Sequence, residues 1–152
     1  MRVIRYLFYL LPWFLSALLF KTDTVFYKGL NKPIFAPPPI LFAIIWLILY
    51  ILIAISIYKI YNDNNYKNTK EYNKALLINY FSNQIFSFLF FTIKSPFLAL
   101  IDTIIVLISS LFLYYETKSL DKKSSKLLIP YIIWNIFATI LITFVFFMNI
   151  EL

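Results

Sequence analysis

The sequence predicts an all-α integral membrane protein, a five-helix transmembrane bundle that forms one domain over residues 1–152, and three observations support this prediction. Of the residues, 62% are hydrophobic and 21% aromatic, whereas only 14% are charged, unlike an average soluble protein. Five apolar runs recur, each near the ~20 residues that cross a bilayer. Backbone groups in lipid must hydrogen-bond within their own segment, which favours helices.

The predicted spans cover about residues 4–20, 40–58, 75–93, 97–115 and 127–150. Pro39 and Pro130 fit the first turn of a helix, whereas Pro12 lies inside span 1 and predicts a bend there or a position near its first turns. Span 1 resembles a signal peptide, but the ALLFKTD sequence after it offers no small-x-small cleavage site. We therefore expect span 1 to be retained.

The basic residues are distributed unequally between the two sides of the predicted bundle. Ten fall at the N terminus and in the loops after spans 2 and 4: Arg2, Arg5, Lys59, Lys67, Lys70, Lys74, Lys118, Lys122, Lys123 and Lys126. Only Lys21, Lys28, Lys32 and Lys94 fall on the other side. The positive-inside rule predicts a cytoplasmic N terminus and an outside location for loop 1, residues 21–39. The net charge of +7 is then expected to face anionic lipid headgroups and not nucleic acid.

Several kinds of chemistry have no residues to perform them. The chain contains no Cys and no His, which excludes thiolate chemistry and the commonest general base and metal ligand. Asp102 is the only acidic residue inside an apolar run. No metal site is predicted, and Asp102 is expected to act as a structural anchor, with a proton-relay role as the alternative.

The chain is organised around the stretch FYKGLNKPIFAPPPILFAIIWLILY, residues 26–50. It holds the only glycine and four of the seven prolines, and it runs directly into span 2. Within it, YKGLNKPIFAPPPILFAIIWLILY fits the pattern W-Y-x-x-L-x-K-P-x-W-x-P-P followed by W-x-x-L-Y. Further matches are the N-x-x-x-N spacing of Asn79 and Asn83, ALID at 99–102, and PYIIWNIFATIL at 130–141. On these motifs the chain resembles the translocator protein family, the tryptophan-rich sensory proteins (TspO/MBR), as a bacterial member.

The resemblance implies a homodimeric five-helix bundle in the bacterial cell membrane that binds porphyrins such as protoporphyrin IX or haem, with no obligatory cofactor. It also implies a pocket between spans 1, 2, 3 and 5 under loop 1. Some members promote light- and oxygen-dependent porphyrin breakdown, in which pocket tryptophans take part. The implied ligand-binding residues are Lys32, Trp46, Tyr50, Asn79, Asn83, Phe86, Trp134, Phe137 and Ala138.

The helical spacing agrees with such a pocket. Trp46 and Tyr50 share one face of span 2, and Tyr131, Trp134 and Ala138 share one face of span 5. Together these faces could hold a flat macrocycle, with Trp46 and Trp134 as its stacking walls and as photochemical donors. The alternative is an interfacial aromatic belt, which Tyr131 near its helix end would suit.

The polar candidates also have alternatives. Asn79 and Asn83 lie one turn apart and would contact the ligand, or would form a hydrogen-bonded clamp between helices. Lys32 would meet the porphyrin propionates, or would be a solvated loop lysine. Three functions remain open. The protein would sense or buffer tetrapyrroles, transport porphyrin or other amphiphilic ligands, or degrade porphyrins in the light.

Overall fold

The fold was obtained as a computed structural model, which describes residues 2–63 and 69–150. The helices are α1 Arg2–Leu10, α2 Leu15–Leu19, α3 Thr24–Gly29, α4 Pro39–Tyr58, α5 Lys70–Ser87, α6 Pro96–Leu120, α7 Lys122–Lys126 and α8 Ile129–Met148. A 3-10 turn joins α1 to α2, and single π-helical turns follow α4 and α5. No strand occurs within the described ranges. Part of predicted loop 2, including Lys67, lies outside them.

Five helical segments are long and apolar enough to cross a membrane: Arg2–Leu19, Pro39–Asn62, Lys70–Thr92, Pro96–Leu120 and Lys122–Met148. We call them spans 1 to 5. Span 1 packs against spans 2 and 3, span 4 packs against spans 3 and 5, and span 5 also contacts span 2. These contacts close a ring in the order 1-2-5-4-3. The all-α fold and the five spans predicted from sequence are confirmed.

Span 1 is interrupted at Pro12, as the sequence predicts, and span 3 satisfies the freed backbone groups. Proline has no N–H to donate within a helix, and residues Leu11–Phe14 form the 3-10 turn. The Tyr80 hydroxyl donates to the Pro12 carbonyl at 2.9 Å. Gln84 Nε2 donates to the Trp13 carbonyl at 3.3 Å, and Gln84 Oε1 accepts from the Ser16 N–H at 2.8 Å. Two polar residues of span 3 therefore stabilise the break in span 1.

Loop 1 contains a helix that the sequence analysis did not anticipate, α3. Its N-terminus is capped by Asp23, which accepts from the Phe26 N–H at 2.8 Å. Asp23 also forms an ion pair with Lys94 at 2.8 Å, in the turn between spans 3 and 4. Two hydrogen bonds to the Asp23 carboxylate, the larger effect coming from Lys94 and the smaller from Phe26, hold the pKa of Asp23 below its ordinary value. Loop 1 is thus attached to the turn on the same side of the bundle.

The turn between spans 3 and 4, Lys94-Ser95-Pro96, is compact. Lys94 adopts a left-handed conformation with φ of 59°. The Ser95 hydroxyl oxygen accepts from the Leu98 N–H at 3.2 Å, and Pro96 occupies the first turn of α6.

The region predicted as charged loop 4, residues 116–126, is helical. Helix α6 continues to Leu120, and α7 covers most of the remainder. Asp121 makes this possible because its carboxylate accepts from the N–H groups of Lys123 and Ser124 and so caps α7. Helix α7 is tied to span 2 by the Ser56 hydroxyl, which donates to the Ser124 carbonyl at 3.1 Å.

Candidate functional site

A cavity of about 380 Å³ lies inside the ring of spans and extends to loop 1. All five spans and loop 1 contribute to its lining. The residues are Phe14, Ser16, Ala17, Thr22, Thr24, Tyr27, Pro39, Phe42, Ala43, Trp46, Leu47, Tyr50, Asn83, Phe86, Ser87, Phe90, Phe91, Thr103, Val106, Asn135, Ala138, Leu141, Ile142 and Val145. Apolar and aromatic side chains predominate, and none of these described residues is charged.

Aromatic rings from spans 1 and 2 form one wall. The Trp46 and Tyr50 ring centroids are 5.4 Å apart, with the planes inclined by 39°. Tyr50 also packs against Trp13 at 5.6 Å and edge-on against Phe14 at 5.4 Å. Trp13 is 2% exposed and fixes Tyr50 from behind. The wall is therefore held in place by aromatic packing before any ligand arrives.

A second aromatic wall comes from the end of span 3. Phe86 and Phe90 stack at 5.5 Å with nearly parallel rings, and Phe26 of α3 contacts Phe90 edge-on at 5.7 Å. Phe90 and Phe91 lie in the π-helical turn Phe88–Thr92. The turn changes the helical phase, and consecutive phenylalanines both reach the cavity lining.

The end of the cavity remote from loop 1 is polar. The Tyr50 hydroxyl donates to Asn83 Oδ1 at 3.0 Å, and Gln84 Nε2 donates to the same oxygen at 3.2 Å. Asn83 Nδ2 donates to the Tyr131 hydroxyl oxygen at 3.3 Å. Tyr131 is fully buried, so the expectation that it belongs to an interfacial belt is wrong. The Tyr131 hydroxyl is hydrogen-bonded to protein groups inside the bundle instead.

Asn79 continues the network away from the cavity. Its Oδ1 accepts from the Tyr131 hydroxyl at 3.1 Å, and its Nδ2 donates to Ser109 Oγ at 2.9 Å. Asn79 is 0% exposed and is not among the lining residues. It joins spans 3, 4 and 5, which is the clamp that the sequence analysis gave as the alternative to a ligand contact.

Five of the nine predicted site residues line the cavity: Trp46, Tyr50, Asn83, Phe86 and Ala138. The structure places the other four, Lys32, Asn79, Trp134 and Phe137, outside the lining. Whether any of the nine contacts a ligand stays a prediction.

Trp134 lies behind the cavity wall and not on its surface. Its ring meets Phe42 edge-on at 5.1 Å and Phe137 at 5.0 Å. Phe42 lines the cavity and separates Trp134 from its interior. Of the two tryptophans predicted as stacking walls, only Trp46 therefore lines the cavity.

Lys32 serves the backbone of loop 1. Its Nζ donates to the carbonyls of Tyr27 at 2.6 Å and Leu30 at 2.7 Å. The ammonium also lies 4.8 Å from the centre of the Tyr27 ring. Lys32 thereby caps the C-terminal end of α3, where carbonyls lack helical partners. Tyr27 faces the cavity, so Lys32 positions a lining residue.

Asp102 is buried in span 4 and 4% exposed. Its Oδ2 has no hydrogen-bond partner among the described residues, so that oxygen does not make the anchoring contact expected from the sequence. Asp102 is not a lining residue, whereas the next residue, Thr103, is.

Asn135 is a cavity residue that the sequence analysis missed. It lines the polar end, is 3% exposed, and its side chain lies beside the buried Tyr131 hydroxyl. The signal was present, because an amide inside an apolar run needs a partner. The rule that singles out Asn79 and Asn83 applies equally to Asn135, the residue after Trp134.

The arrangement is suited to binding a small molecule. The described residues contain no cluster of three or more metal-ligating side chains. What the cavity provides is aromatic surface, apolar volume and a polar end. A cavity of this size and lining is typical of small-molecule sites.

Comparisons with known proteins agree with this architecture. Residues 6–148 match the TspO/MBR family. The chain is 40% identical over 129 residues to the tryptophan-rich protein TspO of Bacillus cereus, covering 85% of this chain and 84% of that protein. It is 38% identical over 123 residues to the uncharacterized membrane protein YtaB of Bacillus subtilis, with coverages of 81% and 79%.

A more distant relative is archaeal. The tryptophan-rich protein TspO of Archaeoglobus fulgidus is 32% identical over 127 residues, which cover 81% of this chain and 79% of the relative. Because the family match extends over most of the chain and reaches all five membrane-spanning segments, the protein belongs to the TspO/MBR family.

Proposed function

We propose that this membrane protein binds a tetrapyrrole, protoporphyrin IX or haem, in the cavity between its five spans. The role would be to sense, buffer or photo-oxidatively degrade the ligand. In this proposal the protein acts as a homodimer in the bacterial cell membrane and needs no obligatory cofactor. The observation that supports it best is the uncharged aromatic cavity under loop 1, in a protein of this family.

The cavity has properties that suit a flat, largely apolar macrocycle. Its volume of about 380 Å³ lies in the range of ligand sites, about 300–1,000 Å³. Rings of Trp46 and Tyr50 on one side and Phe86 and Phe90 on the other offer faces and edges for aromatic contacts. Binding would then rest on ring contacts and apolar burial.

Substitution of Trp46 tests this proposal. We expect Trp46→Ala to weaken protoporphyrin IX binding roughly tenfold, because an aromatic contact and its buried area together are worth about 1.4 kcal/mol. Affinity would be measured by titration in nanodiscs in the dark, following the porphyrin absorbance and subtracting the signal of empty nanodiscs. Trp134→Ala is the matched control, because Trp134 lies outside the lining, and we expect a smaller loss. Equal losses would contradict this placement of the ligand, and no saturable binding to the wild type would contradict the function.

Haem should bind without a strong axial ligand. Haem iron is held by His, Cys, Met or Tyr, and the chain has neither His nor Cys. Among the lining residues only Tyr27 and Tyr50 belong to this set, and the Tyr50 hydroxyl already donates to Asn83. We expect haem and iron-free porphyrin to bind with similar affinity, and the haem spectrum to lack the six-coordinate low-spin form. A clear six-coordinate spectrum would contradict this expectation.

We also propose that the N terminus is cytoplasmic and that loop 1 lies outside, as the positive-inside rule indicates. The chain contains no cysteine, so single cysteines can report the orientation. Lys28→Cys in α3 and Ser119→Cys at the end of α6 both replace exposed residues on opposite sides of the bundle. A membrane-impermeant maleimide should label Lys28→Cys in intact cells, and Ser119→Cys only after lysis. The reverse pattern would refute the orientation.

A further inference from the structure

The cavity reaches the outer surface of the bundle between spans 1 and 2. The lining residues of spans 3, 4 and 5 are all buried or partly buried. By contrast, Ala17 of span 1 and Pro39, Ala43 and Leu47 of span 2 line the cavity and are also exposed. Because the same side chains border the cavity and the outer surface, the cavity is open between these two spans.

The opening follows from the break in span 1 at Pro12. Before the break, α1 packs against α4, whereas after it α2 packs against α5. The Ser16 N–H bonds to Gln84 there, and the ring centroids of Phe20 and Phe88 are 5.2 Å apart. The second half of span 1 is thus held by span 3, and a gap is left beside span 2.

We call this gap the portal and define it by Ala17, Ala43 and Leu47. Phe42 contacts Trp134 of span 5, and Ala43 lies about 100° further round the helix. Ala43 and Leu47 are therefore on the side of span 2 away from span 5, where span 1 is the neighbour. The small side chains of Ala17 and Ala43 leave room between the two spans.

The portal has a border at each end. On the side remote from loop 1, the rings of Phe14 and Tyr50 meet edge-on at 5.4 Å and join spans 1 and 2. On the other side, loop 1 contributes Thr22 and Thr24 to the lining. Displacement of loop 1 would therefore widen the portal.

The position of the portal along span 2 places it beside lipid acyl chains. Ala43 and Leu47 follow Pro39 by four and eight residues, about 6 and 12 Å along the helix, and half of a bilayer's hydrocarbon core is about 15 Å thick. The exposed side chains next to the portal, Leu18 and Ile44, are apolar. An apolar molecule in the bilayer thus meets no charged side chain among the described residues that line the cavity.

We propose that the cavity is loaded from the bilayer through the portal, by a ligand that is already dissolved among the lipid acyl chains. The inference rests on the proposed tetrapyrrole function and restricts the ligand to tetrapyrroles that partition into membranes. The macrocycle passes between spans 1 and 2 within the hydrocarbon layer. Ionised carboxylates of the ligand stay at the loop 1 border, beside Thr22 and Thr24, because an unpaired charge in the apolar gap is strongly unfavourable.

The test blocks the portal after the ligand has bound. The chain contains no cysteine, so Ala43→Cys supplies a single thiol. Detergent-purified protein is loaded with protoporphyrin IX in the dark, labelled with benzyl methanethiosulfonate, checked by mass spectrometry and transferred to nanodiscs. Release into excess empty vesicles is followed by stopped flow. We expect the label to slow release about tenfold, because the macrocycle must displace the added group, and reduction of the disulfide to restore the original rate.

Ile136→Cys is the matched control, since Ile136 is exposed on span 5 and lies outside the cavity lining. Its labelling should leave release unchanged. Unchanged or faster release from labelled Ala43→Cys would overturn the inference and leave the proposed function standing. Equal slowing in both variants would show that the label acts on the bundle in general and would likewise overturn the inference. Failure of wild-type protein to bind protoporphyrin IX saturably would overturn both.

Discussion

Asn79→Ala is expected to lower the free energy of unfolding by about 2 kcal/mol, because it leaves buried partners without a hydrogen bond. The side chain accepts from the Tyr131 hydroxyl and donates to Ser109 Oγ, and so joins three spans. Apolar burial cannot replace this contribution inside a bilayer, where lipid tails are as apolar as the helices. Unfolding by a denaturing detergent, followed by loss of circular dichroism, would measure the change.

The control for this prediction is Asn73→Ala, the same substitution on the same helix. Asn73 bonds to the exposed Tyr61 hydroxyl and to Thr69 near the end of span 3, where water can replace the lost partner. A double-mutant cycle with Tyr131→Phe should show that the two losses are not additive. Additive losses, or equal effects of Asn79→Ala and Asn73→Ala, would contradict the clamp.

The sequence predicted the number of spans because lipid imposes a simple rule on length and polarity. It also predicted that Trp46 and Tyr50 share a face, because helical spacing determines this. Helical spacing does not show which neighbouring helices that face packs against. Tyr131, Trp134 and Ala138 share one face of span 5, yet only Ala138 lines the cavity, while Tyr131 is buried beside Asn79 and Trp134 lies behind Phe42.

The sequence also does not predict local geometry that depends on residues far apart in the chain. The charge of Lys32 suits porphyrin propionates, but its ammonium group donates to the carbonyls at the end of α3. The residue order carries signals for the start and end of α3, Asp23 and Gly29, but it does not show that Lys32 bonds to the carbonyls at that end. The role of Gln84 depends in the same way on Pro12, 72 residues earlier, whose break in span 1 leaves backbone groups for it to bond.

Asn149, which follows α8, holds loop 1 at Asn31, two residues after α3. Asn149 Oδ1 accepts from the Asn31 N–H at 2.9 Å, and Asn149 Nδ2 donates to the Asn31 carbonyl at 2.8 Å. Asn149 is 7% exposed and also donates to the Val145 carbonyl at 2.7 Å. One side chain thus pairs with both backbone groups of a loop residue, as a neighbouring strand would. Since loop 1 supplies Thr24 and Tyr27 to the lining, this pair fixes the part of loop 1 that follows these lining residues.

If the proposed tetrapyrrole binding holds, Asn149→Ala should accelerate release of protoporphyrin IX about 30-fold, since two hydrogen bonds of about 1 kcal/mol each oppose displacement of loop 1. Stopped-flow exchange of bound porphyrin into excess empty vesicles would measure the rate. Asn31→Ala is an informative control, because the pair uses the backbone of residue 31, and its side chain adds only a 3.3 Å contact to the Met148 carbonyl. We expect Asn31→Ala to change the release rate little, and Ile150→Ala, at an exposed neighbouring position, to leave it unchanged. Equal acceleration in Asn31→Ala and Asn149→Ala would mean that general loosening of the loop, and not the paired backbone of Asn31, limits release.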